Sequence, residues 1–243
     1  MNLLITADYR ELGQAAAQLV VQALLHDPDA VLALPTGETP KGMYEALIRL
    51  YQEGLVDFSR ATAFNLDEYL DIPPGHPQSF SAYMRRYLWD HVNLAKDKVH
   101  IPASLPEDPE AECIRYEELI RKSGGIDLAV LGIGENGHIA FNEPGTIWET
   151  PTHVAVLFPK TREREAQAFG RLDHVPTHAI TMGIKTIMRA RRVLLLASGE
   201  EKAGILARAL SGPITIDVPA SILQLHPNLT VVADRAAARG LAG

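Results

Sequence analysis

A single cysteine, Cys113, excludes an intrachain disulfide and any metal site built from several thiolates. It falls in an expected helix from Glu107 to Lys122, where a buried, idle thiol is the ordinary outcome. Long apolar runs are missing too, since no stretch reaches the ~18 uninterrupted apolar residues of a membrane span. The opening Met1-Asn-Leu-Leu-Ile-Thr lacks the basic region and the apolar core of a secretory leader. A cytoplasmic protein without a membrane partner is therefore expected. Basic residues are in deficit, 23 Lys and Arg against 30 Asp and Glu, for a formal net charge of −7. No Lys/Arg run offsets that balance, and Arg189, Arg191 and Arg192 read as a solvated helix end. Nucleic acid is not an expected partner. Internal repeats, low-complexity linkers and composition breaks are also absent, so one domain is expected over 1–243.

The rest is ordinary for a globular chain: 47% hydrophobic and 22% charged residues in a length that can bury a substantial core. Short apolar runs alternate with helical patterns. Strands are expected at Leu3 to Thr6, Ala30 to Leu34, Thr62 to Leu66, Ile126 to Leu131, Val154 to Phe158, Ala179 to Met182, Val193 to Ala197 and Leu229 to Ala233. Helices are expected from Asp8, with Glu11 three residues on as in a capping box, and at about Lys41–Glu53, Ser79–His91, Glu107–Lys122, Arg162–Phe169 and Glu200–Leu210. Strands this continuously apolar, separated by helices, predict a doubly wound α/β fold, a mostly parallel sheet covered on both faces. Such sheets bind ligands beyond the carboxyl ends of their strands.

Four strand ends carry polar residues suited to chemistry. After Ile126 to Leu131 comes Gly132-Ile-Gly-Glu-Asn-Gly-His-Ile-Ala-Phe-Asn-Glu143. Its glycines let the backbone turn sharply and approach a ligand. His138 and Glu143, five residues apart on a tight loop, can share a reacting group as a proton-transfer pair. The plain alternative is a glycine turn with an incidental histidine. Leu34-Pro-Thr-Gly-Glu-Thr-Pro-Lys41 places Thr36, Gly37, Glu38 and Thr39 before a helix start, a natural anion cradle or simply a well-capped turn. It lacks the Walker spacing, and the Glu38 side chain must point away from any phosphate. In Phe64-Asn-Leu-Asp-Glu-Tyr69, Asp67 and Glu68 follow a buried strand, where one of them suits a general base or Asp67 caps a turn. Ser198-Gly-Glu-Glu-Lys202 puts Lys202 in the first turn of a helix, where an anionic ligand would offset the dipole; a solvated lysine is the common alternative.

In this order and spacing the four segments resemble the glucosamine-6-phosphate deaminase (isomerising) family. The shared pattern is P-T-G-x-T-P, F-N-x-D-E-Y, G-x-G-x-[ND]-G-H-I-[AG]-F-N-E-P, a Thr-Arg in a mobile segment, and a Gly-x-x-Lys helix start. Ser221-Ile-Leu-Gln-Leu-His-Pro227 is similar to the family's C-terminal stretch. The likeness covers essentially the whole chain. It implies conversion of glucosamine 6-phosphate, a small amino-sugar phosphate, to fructose 6-phosphate and ammonia, with no metal and no organic cofactor. His138 would open the sugar ring, with Glu143 polarising the imidazole and Asn136 hydrogen-bonding beside them; Asp67 would move the C2 proton toward C1 through an enolamine. Thr36, Gly37, Thr39, Arg162 and Lys202 would bind the phosphate, with Glu38 the doubtful member. Roughly residues 145 to 174 would form a lid that excludes water.

Two positions depart from other members. Asn136 stands where some carry Asp, which would alter the basicity of the imidazole and hence the pH optimum. Glu38 stands where a small residue is common. Some members also have a longer C-terminus associated with hexamers and allosteric activation. Here only about ten residues follow the last strand, so a monomer or small homo-oligomer without allostery is expected. Three rivals remain. A 6-phosphogluconolactonase-like hydrolase would release no ammonia. A non-catalytic sugar-phosphate sensor would keep its ligand affinity in Asp67→Asn. A metal hydrolase using His138 and Glu143 would be inactivated by a chelator, although His-x₄-Glu on a glycine loop lacks a fixed ligand face.

Overall fold

The computed structural model describes residues 1–241. Ten strands run β1 (Asn2–Thr6), β2 (Val31–Leu34), β3 (Thr62–Asn65), β4 (Asp67–Tyr69), β5 (Val99–His100), β6 (Leu128–Gly132), β7 (His153–Val156), β8 (His178–Thr181), β9 (Arg192–Ala197) and β10 (Leu229–Asp234). Among the described residues seven α-helices accompany them: α1 (Tyr9–His26), α2 (Lys41–Gln52), α3 (Phe80–Tyr87), α4 (Pro109–Lys122), α5 (Pro159–Phe169), α6 (Ile184–Met188) and α7 (Ala203–Ser211). The main sheet has the order β1-β10-β9-β6-β2-β3-β5, and each pair is parallel.

Burial on both faces explains why the strands read as unbroken apolar runs. Along β9, Leu194 and Leu196 join a core with Leu12, Ala16 and Val20 of α1 and Met43 and Leu47 of α2. Val193, Leu195 and Ala197 point the other way, into a core with Tyr116 and Ile120 of α4 and Leu206 and Ala209 of α7. Each fully buried Leu of this kind contributes roughly 1.5–3 kcal/mol of transfer free energy. At the start of α1 the Asp8 carboxylate accepts from Glu11 N at 2.9 Å, and Glu11 Oε2 accepts from Ala7 N at 2.9 Å. The capping reciprocity of the sequence is thus present, reaching one residue further back than in the usual box.

All eight expected strands are present, but two of them belong elsewhere. β7 and β8 pair antiparallel and form, with β4, a separate three-stranded sheet in the order β4-β8-β7. β4 left no sequence signal because it is three residues long and two of them are acidic. β5 is shorter still. The expected helix over Ser79–His91 ends at Tyr87 and passes into a 3₁₀ turn at Trp89–His91. Lys202 closes a 3₁₀ turn, Glu200–Lys202, just before α7 rather than lying in an α-helical first turn. Among the described residues no helix is long and apolar enough to cross a membrane.

Candidate active site

From β2 the chain steps through β3 to β5 in one direction, and from β6 through β9 to β10 in the other. The order therefore reverses between β2 and β6, which opens a crevice at their carboxyl ends. A cleft of about 440 Å³ lies there. All four chemistry-bearing strand ends reach it: Thr36, Gly37, Glu38 and Thr39 after β2, Asp67 after β3, His138 after β6, and Lys202 after β9. Residues of α3 and α5 close the sides.

The loop after β6 is built around the imidazole. A Cβ added to Gly134 would overlap the His138 ring, so only glycine lets the ring lie against that stretch of backbone. Ala140 takes a left-handed φ of 51°, a strained choice for a residue with a side chain. The next residues hold it there. Phe141 N donates to Thr181 Oγ1 at 3.0 Å, and Asn142 Nδ2 donates to the carbonyls of Ile139 and Met182, each at 2.9 Å. The Phe-Asn-Glu string thus anchors the loop and turns Glu143 back toward the histidine.

Glu143 is buried, with Oε2 3.3 Å from His138 Nδ1. The same oxygen accepts from Asn136 Nδ2 at 2.6 Å, and Oε1 accepts from Thr161 Oγ1 at 2.8 Å. Burial pushes the carboxyl pKa up, but the His138 interaction and the Asn136 and Thr161 hydrogen bonds outweigh it and hold the group below its usual range. Glu143 and Asn136 stand behind the imidazole, and it is His138 that lines the cleft. Thr161, the threonine of the Thr-Arg pair, was given no role of its own by the sequence.

The neighbouring carboxylates Asp67 and Glu68 have separate surroundings. Glu68 turns away and accepts from Tyr69 N, Phe80 N and Ser81 N, each at 2.9 Å, the last two being free N–H groups that open α3. Asp67 faces the cleft, is 5% exposed, and has no hydrogen-bond partner for Oδ1 among the described residues. Burial, with a smaller push from Glu68, raises it to about 8.

At the cationic end, three tyrosines hold the loop after β2 by its carbonyls. Tyr44 donates to Pro35 O at 2.5 Å, Tyr83 to Gly37 O at 2.5 Å and Tyr9 to Glu38 O at 2.9 Å. The Glu38 side chain is 87% exposed and pairs with Lys41 at 2.6 Å, so it turns outward from the loop as the sequence required. Lys202 lines the cleft; burial, then the Arg164 charge, depress its pKa.

Arg162 is a correction. Its Nη2 donates to Leu172 O and Val175 O, both at 3.1 Å, so the guanidinium ties α5 to the following turn and does not line the cleft. Arg164 lines it instead. Helical period could have found this. If Thr161 faces inward, positions 164, 165, 168 and 169 share its face, and Arg164, Glu165, Ala168 and Phe169 all line the cleft. Position 162 lies about 100° around the helix from Thr161.

Fold and cleft define a doubly wound α/β protein with an acid–base pair, a buried protonatable carboxyl and cations gathered around one small-molecule site. More narrowly, the chain belongs to the glucosamine-6-phosphate isomerase/6-phosphogluconolactonase family, whose model matches residues 7–148 and 150–232. It is 49% identical over 243 residues to glucosamine-6-phosphate deaminase 2 of Bacillus subtilis, with 99% of this chain and 98% of that protein covered. The glucosamine-6-phosphate deaminase of Halothermothrix orenii is 48% identical over 98% of this chain and 99% of its own length. A solved monomeric glucosamine-6-phosphate deaminase superposes with a TM-score of 0.96 at 44% identity, covering 99% of this chain and 100% of that one. The 6-phosphogluconolactonase of Trypanosoma brucei, at 22% identity and a TM-score of 0.78 over 99% and 98% of the two chains, shares the fold.

Proposed function

We infer that the protein catalyses the isomerising deamination of glucosamine 6-phosphate to fructose 6-phosphate and ammonia. The observation that carries the chemistry is the pairing, in one cleft, of an imidazole backed by an ionised carboxylate with a second carboxyl that has no partner. Such a reaction needs two proton-transfer stations, one at the ring oxygen and one at C2. His138, with Glu143 and Asn136 behind it, takes the C1 hydroxyl proton and returns a proton to the ring oxygen as the sugar opens. Asp67 then removes the C2 proton while an ammonium proton of the substrate passes to the aldehyde O1, and returns the C2 proton to C1 of the resulting enolamine. C2 is left as an iminium; water adds there and ammonia departs, so the net change consumes one water.

Thr36, Gly37 and Thr39 cradle the phosphate at the start of α2, and Lys202 and Arg164 supply the positive charge. Residues 145–174, which include α5, act as a lid over the sugar; similar hydrogen exchange there with and without sugar phosphate would count against that role. The protein works in the cytoplasm, without metal or organic cofactor, as a monomer or small homo-oligomer. The deciding experiment measures ammonia and fructose 6-phosphate from glucosamine 6-phosphate for wild type and Asp67→Asn. Equal release of both products, unaffected by chelator and lost in the variant, supports the assignment. No release from folded wild-type protein refutes it and directs attention to lactone hydrolysis.

A further inference from the structure

The helix that walls the cleft is fastened to the catalytic loop at two adjacent residues. Lys160 Nζ lies 3.0 Å from Glu135 Oε2 in an exposed ion pair, which contributes little. Thr161 is different: it is 6% exposed, and its hydroxyl donates at 2.8 Å to Oε1 of Glu143, which is itself 4% exposed. A buried hydrogen bond to an ionised carboxylate is among the stronger kinds.

The donors to Glu143 come from two parts of the chain. Oε2 accepts from Asn136 within its own loop and faces His138 Nδ1 at 3.3 Å. Oε1 is held from α5 alone by the Thr161 hydroxyl. The same helix face carries Arg164, Glu165, Ala168 and Phe169 into the cleft wall. At the far end of α5, Phe169 packs edge-on to Tyr69 at 5.5 Å and stacks on His76 at 5.5 Å, so the helix is seated at both ends. Seating α5 therefore places the anion-facing arginine and completes the coordination of Glu143 in one movement. With α5 displaced, Oε1 would lose this donor and the carboxylate would be free to rotate away from the imidazole.

We propose that Thr161 is a positioning residue for the His138–Glu143 pair, its hydroxyl making the acid–base geometry depend on the seating of α5. This rests on the deaminase reading, and the test separates the two. Thr161→Val keeps the shape and deletes the donor, whereas Thr161→Ser keeps the hydroxyl. Wild type, Val and Ser variants are compared for kcat and KM toward glucosamine 6-phosphate over a pH series, with thermal unfolding as a control for the fold. Val should lower kcat roughly tenfold, the effect of about 1.4 kcal/mol, with a smaller change in KM. Loss of a donor raises the Glu143 pKa, so the acid limb of the kcat profile should move to higher pH in Val and return in Ser. Equal kinetics and pH profiles for Val and wild type, or equal losses in Val and Ser, would overturn the role of the hydroxyl. An inactive wild type would instead sink the deaminase assignment itself.

Discussion

Replacing Asp67 with Asn should stabilise the empty protein, and by more as the pH rises. The carboxyl titrates at about 8 in the folded chain against 3.8 for the unperturbed group. Below pH 3.8 both states hold the proton and nothing is lost. Between 3.8 and 8 the unfolded chain releases it while the folded chain retains it, so the native state loses about 1.4 kcal/mol per pH unit from this group. From pH 5.5 to 8.5 the summed loss is about 3 kcal/mol, since the slope fades once the folded carboxyl ionises. An amide has no such titration. The gap in unfolding free energy between Asp67→Asn and wild type should therefore widen by about 3 kcal/mol over that range, which is roughly 6–12 °C in melting temperature for a chain of this size. Urea unfolding of both ligand-free proteins at the two pH values measures it, with other titrating groups cancelling in the difference. A gap that stays constant would show that Asp67 is not held protonated in the native cleft, and the account of its burial would be wrong.

The same titration should appear in catalysis: kcat/KM should rise with pH through about 8, and Asp67→Asn should remove that limb and leave activity ~10²–10⁴-fold lower. The two arginines of α5 should separate cleanly. Arg164→Ala should raise KM for the sugar phosphate with little change in urea midpoint, whereas Arg162→Ala, which abandons the Leu172 and Val175 carbonyls, should lose about 1–3 kcal/mol of stability. Reversal of those two outcomes would restore Arg162 as the phosphate ligand. Gly134→Ala should abolish most turnover while circular dichroism stays native, because the new methyl displaces the His138 ring from the backbone it lies against; full activity would contradict that packing.

What the sequence disclosed and what it hid differ in physical kind. The buried parallel strands were legible because both their faces meet apolar helices, which forces runs such as Val193 to Ala197. The loop around His138 was legible because its backbone needs glycines and its chemistry needs polar residues, and the two demands fall on adjacent positions. The antiparallel sheet was hidden, since β4 pairs only three residues, Asp67 to Tyr69, with Ala179 to Thr181. No pattern within Asp-Glu-Tyr marks such a strand. Arg162 and Arg164 could not be ranked by composition. Their difference is one of rotation about α5, and Thr161, whose hydroxyl has its partner eighteen positions away, sets that rotation.

Two of the carboxylates in this site are buried to nearly the same extent, 4% exposed for Glu143 and 5% for Asp67, yet they are driven in opposite directions. Burial raises both. Around Glu143 the adjacent His138 ring and the hydrogen bonds from Asn136 and Thr161 reverse the sign, so it stays ionised and can support positive charge on the imidazole. Asp67 has the opposite surroundings, an unpartnered oxygen and a second carboxylate next in sequence, and in the empty cleft it keeps its proton. A base must therefore be made when substrate arrives, and the incoming ligand carries the means. The ammonium group of an amino sugar is a cation that favours the ionised carboxylate, and its proton can exchange with bulk water before the cleft closes. A sugar phosphate of the same shape with a hydroxyl in place of the amine lacks that cation. Binding isotherms over pH distinguish the two: uptake of the amino sugar phosphate should release close to one proton from the protein near pH 7, and the non-amino analogue should release far less. Equal proton release for both would mean that Asp67 is ionised by something other than the substrate's own charge.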